Sequence, residues 1–400
     1  MYLVSRRYTI ATYLAGSTIA RAADAMSATA LLLLAMATSL PASVPPLLIA
    51  CLTASAALGG PLLGAVLDRA GRPGRFLAEC LLLYAAGMAL LTALLGEMSP
   101  VGLGVIAFAS GLAGPAIAGG WTSQLGDLAG GDRLRRLQAL DATTYSLAGL
   151  LGPAAAGILA TTLGARIGMV LVAVLLVVAA TAAVRLPRRT TVAAPPAAPV
   201  AGILSDIRSG LHAIRHTATL CRATASSCVS FIGIGMFDVL APRIGIAHLG
   251  GAGHGAMLLS VTAATAGLTT LCLSRWPSSM SPDLLLALSM VVTTVGFAVT
   301  AVPHASTAII GAGILGVGDG PALVQLMGIR HRDAPPRLRS QIFTTGASLK
   351  ITAASVGAAL AGILVDRPLY QLVLLCGLSQ LGAVALLTRS VTMQSVRVTV

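Results

Sequence analysis

Long apolar runs, each long enough to cross a bilayer, alternate with short polar or basic breaks along the whole chain. They cover residues 9–37, 43–67, 76–96, 100–125, 138–162 and 165–186, then 218–241, 252–275, 282–302, 304–329, 340–364 and 369–389. A helix rises about 1.5 Å per residue, so roughly 20 apolar residues cross the hydrocarbon core. The short alternating segments of a membrane β-barrel are absent. The pattern predicts an all-α polytopic membrane protein with about twelve transmembrane helices. Between the sixth and seventh runs, residues 185–199 read RLPRRTTVAAPPAAP. Proline at this density forbids a spanning helix. The expected organisation is a six-helix bundle over 1–186, a linker over 187–217 and a second six-helix bundle over 218–400. Within the linker, Ile203, Ile207, Leu211 and Ile214 recur at helical spacing among Arg208, His212, Arg215 and His216. This predicts a short basic amphipathic helix on the membrane surface.

Composition sharpens the class. The 400 residues are 56% hydrophobic and only 10% charged, against about 25% charged in a soluble domain. The net charge of +13 would suggest nucleic acid in a soluble protein, but aromatic interleaving for base stacking is missing. The basic residues sit at span ends, where they set orientation and meet anionic lipid. With the N-terminus inside, 21 of the 26 basic residues fall on inside segments. The expectation is therefore a multi-pass cell-membrane protein with both termini cytoplasmic. The six cysteines have no metal-ligand spacing and read as small buried hydrophobes. No cofactor, metal or catalytic constellation is called for. Gly311-Ala-Gly313-Ile-Leu-Gly316 matches a dinucleotide fingerprint only formally, because no strand precedes it. Helix packing is its reading.

The halves repeat. Gly152 and Gly157 in span 5 match Gly357 and Gly362 in span 11 at an offset of 205, and Gly114-Pro115 in span 4 matches Gly320-Pro321 in span 10 at 206. Spans 1 and 7 do not align cleanly. Duplicated halves around a substrate path are a transporter architecture. Charges inside the spans are the sharpest functional signals, since each costs a few kcal/mol unless paired or hydrated. Arg21 and Asp24 lie at i, i+3 on span 1 and can face one another. Lys350 is the one lysine and lies near mid-membrane in span 11. Its repeat counterpart is Tyr145, one turn from Asp141. Asp238 in span 7 and Asp319 in span 10 complete the set. Asp24, Asp238 and Asp319 are the expected proton carriers, with Arg21 or Lys350 holding a counter-charge or an anionic substrate group.

Two motifs go further. Gly60–Arg75 runs an apolar helix end into Asp68 and a basic turn. Gly149-Leu-Leu-Gly152-Pro153-Ala-Ala-Ala-Gly157 puts Gly149, Gly152 and Ala156 on one helix face, where small residues let helices touch. On these residues the chain resembles the major facilitator superfamily, and within it the twelve-helix drug-efflux branch. Gly64, Asp68, Arg69, Gly71 and Arg72 resemble the family's loop 2–3 motif, which implies a cytoplasmic gate. The Gly149–Gly157 stretch resembles its span 5 antiporter motif, with Ala156 where the stricter form has a second glycine. The resemblance implies a proton-coupled exporter of a small amphipathic compound, working as a monomer by alternating access. An importer or facilitator of a small solute with the same fold is the alternative. Partners are then a small-molecule substrate, protons and membrane lipid, with no nucleic acid and no enzymatic step. The topology predicts that a reporter fused after Val400 is active only on the cytoplasmic side. Periplasmic activity of the fusion would reverse the orientation.

Overall fold

The computed structural model describes residues 2–125, 131–186, 208–209, 211–275, 280–334 and 339–388. Among these residues there is no strand. The chain divides into two compact units, Met1–Ile203 and Leu204–Val400. The first holds α1 (Tyr2–Met36), α2 (Val44–Ala54), α3 (Ala56–Arg69), α4 (Pro73–Leu94), α5 (Pro100–Gly111), a π-type turn (Ala116–Gly120), the one-turn α6 (Trp121–Ser123), α7 (Gly131–Thr162) and α8 (Ala165–Val184). The second holds a short α9 over 211–216, then α10 (Ala218–His248), α11 (Ala252–Arg275), α12 (Pro282–Thr300), α13 (Ala305–Asp333), α14 (Arg339–Ile363) and α15 (Leu369–Thr388). Proline opens α4, α5 and α12 in the first turn, where its missing N–H has no intrahelical role. The hydroxyls of Ser99 and Ser281 accept the amides of Gly102 and Leu284 and so cap α5 and α12. Gly164, at φ 93°, makes the reversal between α7 and α8, a left-handed position that a side chain disfavours.

Among the described residues, ten helices are long and apolar enough to cross a membrane. The other two expected spans are broken. The run 43–67 divides at Ser55 into α2 and α3, and the run 100–125 stops as a helix at Gly111 before its π-type turn. The breaks meet each other. A Cβ on Gly111 would collide with the Leu52 carbonyl and the Ser55 hydroxyl, and one on Gly59 would collide with the Leu112 carbonyl. Ser55 also bonds back to Leu52 O at 2.8 Å, which competes with the helical ladder. Apolar length alone does not register such breaks, because Gly and Ser lower mean hydropathy little while weakening the helix.

Close glycine crossings hold the long helices together, and two of them correspond between the units. In the first, Gly152 of α7 lies on the backbone of Ala25 and Met26 in α1. In the second, Gly357 of α14 lies on the backbone of Ile232 and Met236 in α10, with Gly235 against Ala354 beside it. Ile232 follows Met26 by 206 positions and Gly357 follows Gly152 by 205. The packing thus supplies the span 1 to span 7 correspondence that residue identities did not. Gly311 and Gly316 of the formal dinucleotide pattern are packing glycines of α13. A Cβ on Gly311 would strike Thr300 and Gly296, and one on Gly316 would strike Thr262 and Thr265.

The expected linker falls mostly on residues outside those described. Ile203 and Ile207 lie outside the described residues, whereas 211–216 is helical. Ile214 is buried against Leu220, Ala334 and Ile342, while Leu211 is exposed. This helix therefore anchors one side chain in the second unit. Arg332 bonds Asp283 at 2.8 Å and both carboxylate oxygens of Asp333, at 2.7 and 2.9 Å. Hydrogen bonds from Arg332 hold the Asp333 carboxyl below the usual carboxylate range. The six cysteines are free thiols; Cys80 and Cys376 are buried but Cys272 is exposed.

The crossings predict unequal sensitivity among glycines. Gly152→Leu and Gly357→Leu should each cost about 2 kcal/mol or more, because the added atoms meet backbone rather than a movable side chain. Gly267→Ala meets nothing within 4 Å and should leave stability unchanged or slightly raised. Thermal unfolding of the purified variants in detergent checks both, and equal midpoints for all three would contradict the packing account.

Candidate functional site

In the first unit the buried charges form a closed network between α1, α6 and α7. Arg21 and Asp141 are each only 3% exposed and pair at 2.7 Å, with a second guanidinium–carboxylate contact of 3.2 Å. Tyr13 donates to Asp141 Oδ1 at 2.7 Å, and Thr122 donates to Oδ2 at 2.8 Å. Arg21 also donates to the Asp141 carbonyl at 3.1 Å, to Thr122 Oγ1 at 2.9 Å and to the Thr144 hydroxyl. Its guanidinium lies over the Tyr145 ring, 3.8 Å from the centroid, a cation–π contact. Trp121 is fully buried and meets the Tyr13 ring edge-on at 5.8 Å. Arg21 and Asp24, whose spacing lets them face one another, are not each other's ion partners among the described residues: Arg21 pairs with Asp141. The i, i+3 spacing permitted the first pairing, but a bidentate partner on another helix satisfies more of the guanidinium. Asp24 instead faces Tyr84 of α4, whose hydroxyl lies 2.6 Å from that of Ser27. Sequence reading undervalued Asp141, because it stands nearer a span end than the other acids. Its signal was its register, one turn from Tyr145.

The second unit is arranged differently. Asp238 of α10 is electrostatically coupled to Asp319 of α13, and Asp319 to Lys350 of α14. Lys350 sits with its Nζ 4.1 Å from the centroid of the Phe231 ring. Asp238 is exposed; Asp319 and Lys350 are half-buried. Among the described residues, none of Asp24, Asp238, Asp319 and Lys350 has an ion pair within 4 Å. Asp238, Asp319 and Lys350 are thus brought together by three helices, with the charges close enough to feel one another but not locked. Ser230 and Gln380 close a separate buried bond, at 2.7 Å, between α10 and α15.

The motif residues divide. Gly152 makes the α1 crossing described above, Pro153 lies inside α7, Gly157 is buried and Gly149 is half-buried. Gly71 and Arg72 are exposed at the end of α3, and a Cβ on Gly71 would meet nothing within 4 Å. The surroundings of Gly64 and the side chains of Asp68 and Arg69 lie outside the described residues. Among the described residues no group of three or more His, Cys, Asp or Glu could hold a metal ion.

The buried pair predicts a strong asymmetry between single and double substitutions. Asp141→Leu leaves the Arg21 charge without its counter-ion and should cost about 3–5 kcal/mol. Arg21→Met with Asp141→Leu removes both charges and should cost much less than the sum of the single changes. A double-mutant cycle on thermal unfolding measures the coupling; additive effects would contradict the network.

Comparison with known proteins places this arrangement. The Major Facilitator Superfamily profile matches residues 13–350. No curated protein matches the chain. Solved structures do. A peptide transporter POT variant in complex with sulfate is 15% identical, with 96% of this chain and 94% of that chain covered and a TM-score of 0.77. The POT family transporter PepTSo is 15% identical, with 97% and 99% covered and a TM-score of 0.71. A variant of the nucleoside transporter NupG is 10% identical, with 96% and 99% covered and a TM-score of 0.77. At these identities the likeness is one of fold. With the family profile running through both units and multi-pass helices of this form, the chain belongs to the Major Facilitator Superfamily and is a membrane transporter.

Proposed function

We propose that this transporter is proton-coupled and exports a small amphipathic compound by alternating access. The observation that carries the coupling is the contrast between its acids. Asp141 is held by Arg21, Tyr13 and Thr122, whereas Asp24, Asp238 and Asp319 have no ion pair among the described residues. A carboxylate without a fixed cation can take up and release a proton without breaking a salt bridge. Lys350, beside Asp319, offers a counter-charge whose influence changes as α13 and α14 move. Arg21 has a structural part in this scheme, holding α1 to α7, while Asp24 of the first unit and Asp238 and Asp319 of the second are the titrating groups.

Export is supported by the Gly149–Gly157 stretch, which seats α7 closely on α1 at Gly152. The Gly64–Arg72 stretch supplies the gate, with Asp68 pairing to a basic residue in one state and released in the other. The two bundles, 1–186 and 218–400, rock as bodies about the linker 187–217, with both termini cytoplasmic and the protein monomeric. A second reading is uptake of a small polar solute. It is favoured by the fold likeness to peptide and nucleoside transporters.

Proteoliposomes under an imposed pH gradient test the proposal. Candidate compounds that move should carry protons with them, and Asp319→Asn and Asp68→Asn should reduce flux about tenfold or more while leaving the protein folded. Flux with no proton movement, or wild-type flux in both variants, would remove the coupling scheme. Cells lacking the gene decide direction: greater sensitivity to a compound, abolished by an uncoupler in the complemented strain, supports export. A growth requirement for one solute supports uptake.

A further inference from the structure

One buried cation is used by none of the chemistry above. Arg330 of α13 is 1% exposed, and among the described residues its Nε, Nη1 and Nη2 have no hydrogen-bond partner. Counted along the sequence it belongs to the basic inside ends of the spans, yet the fold encloses it. The charged and titratable groups acting on it or through it are Cys228 of α10 and Lys350 of α14, the second a like charge. Its guanidinium lies on Gly346 of α14, where a Cβ would collide with Nη2 and Cζ. Five N–H donors and a positive charge enclosed without an acceptor are costly.

The repeat shows what the place lacks. Gly346 stands 205 positions after Asp141, and Lys350 stands 205 after Tyr145. At this level of the first unit, Asp141 receives the guanidinium of Arg21 and Tyr145 lies under it. In the second unit a guanidinium arrives at the same level from a different helix. It meets a glycine where the acid would stand and a lysine where the aromatic ring would stand. Both changes favour an added negative charge.

We propose that Arg330, Gly346 and Lys350 form a binding site for an organic anion, whose carboxylate accepts from Arg330 in the position Asp141 takes beside Arg21. Bidentate pairing with a planar guanidinium suits a carboxylate. The guanidinium packs directly on Gly346, and Lys350 sits one turn along the same helix face, so an anion held by Arg330 would also feel the lysine. Passage of that anion rests on the path proposed above, past Lys350. Its binding at Arg330 is an equilibrium property and needs neither proton coupling nor a direction of transport.

The test is thermal unfolding of the purified full-length protein in detergent, titrated separately with sodium acetate, sodium benzoate and sodium chloride. Ionic strength is held constant with MES, a bulky sulfonate. The carboxylates should raise the wild-type midpoint saturably, and Arg330→Gln should weaken that response about tenfold or more. Gly346→Asp supplies the carboxylate within the chain; it should raise the midpoint without added anion and abolish the response. No saturable response in the wild type, or an undiminished one in Arg330→Gln, would overturn the site. Full stabilisation by chloride with nothing further from carboxylates would overturn the organic assignment. Should Arg330→Gln not fold, Gly346→Asp decides alone, since a wild-type response there sinks the proposal.

Discussion

The close approach of two backbones, α7 on α1 at Gly152 and α14 on α10 at Gly357, is the constraint on which the rest of each unit depends. Apolar side chains gain little by exchanging lipid for one another, so helices in a bilayer associate through contact and hydrogen bonding. Small residues maximise the contact. Once Gly152 is seated on Met26, the register of α7 against α1 follows, and Asp141 arrives beside Arg21. The same seating at Gly357 brings Gly346 and Lys350 to the equivalent level of the second unit. Packing of this kind is both structural and functional, because it sets which charges meet.

The two units use that common frame for different ends. The first neutralises its buried charge internally, with Arg21 and Asp141 exchanging several hydrogen bonds and Tyr13, Thr122 and Thr144 completing the shell. A network satisfied to this degree resists change. The second leaves its charges apart, with Asp238, Asp319 and Lys350 coupled at a distance and Arg330 without an acceptor. Incomplete satisfaction is expensive in a dry interior and is retained where protons or ligands act on it. Duplication followed by this divergence yields one stable half and one responsive half.

Much of this was legible in the residues. Runs of apolar residues located the spanning helices, with some ends about seven positions from the observed ones, and Gly152 lay on a small-residue face suited to close contact. The pairing of Arg21 was not legible, since Asp24 is nearer in sequence and the competing acid lies 120 residues away. The breaks at Ser55 and Gly111 were also hidden. They arise from one pair of segments pressing on another, and a hydropathy run records only average polarity. Arg330 was counted among topogenic arginines because its neighbours in sequence are basic and polar. Its enclosure depends on Gly346 and Cys228, which reach it only through folding.

By itself, then, the sequence determined the solvent this chain lives in, the rough place of its spanning segments, their duplication and the residue types that could carry charge through a membrane. These are properties of composition and period, which need no partner. The tertiary structure decided which charges are paired and which are left free. That choice depends on distances of a few ångströms between helices far apart in the chain, and a local pattern holds no record of them.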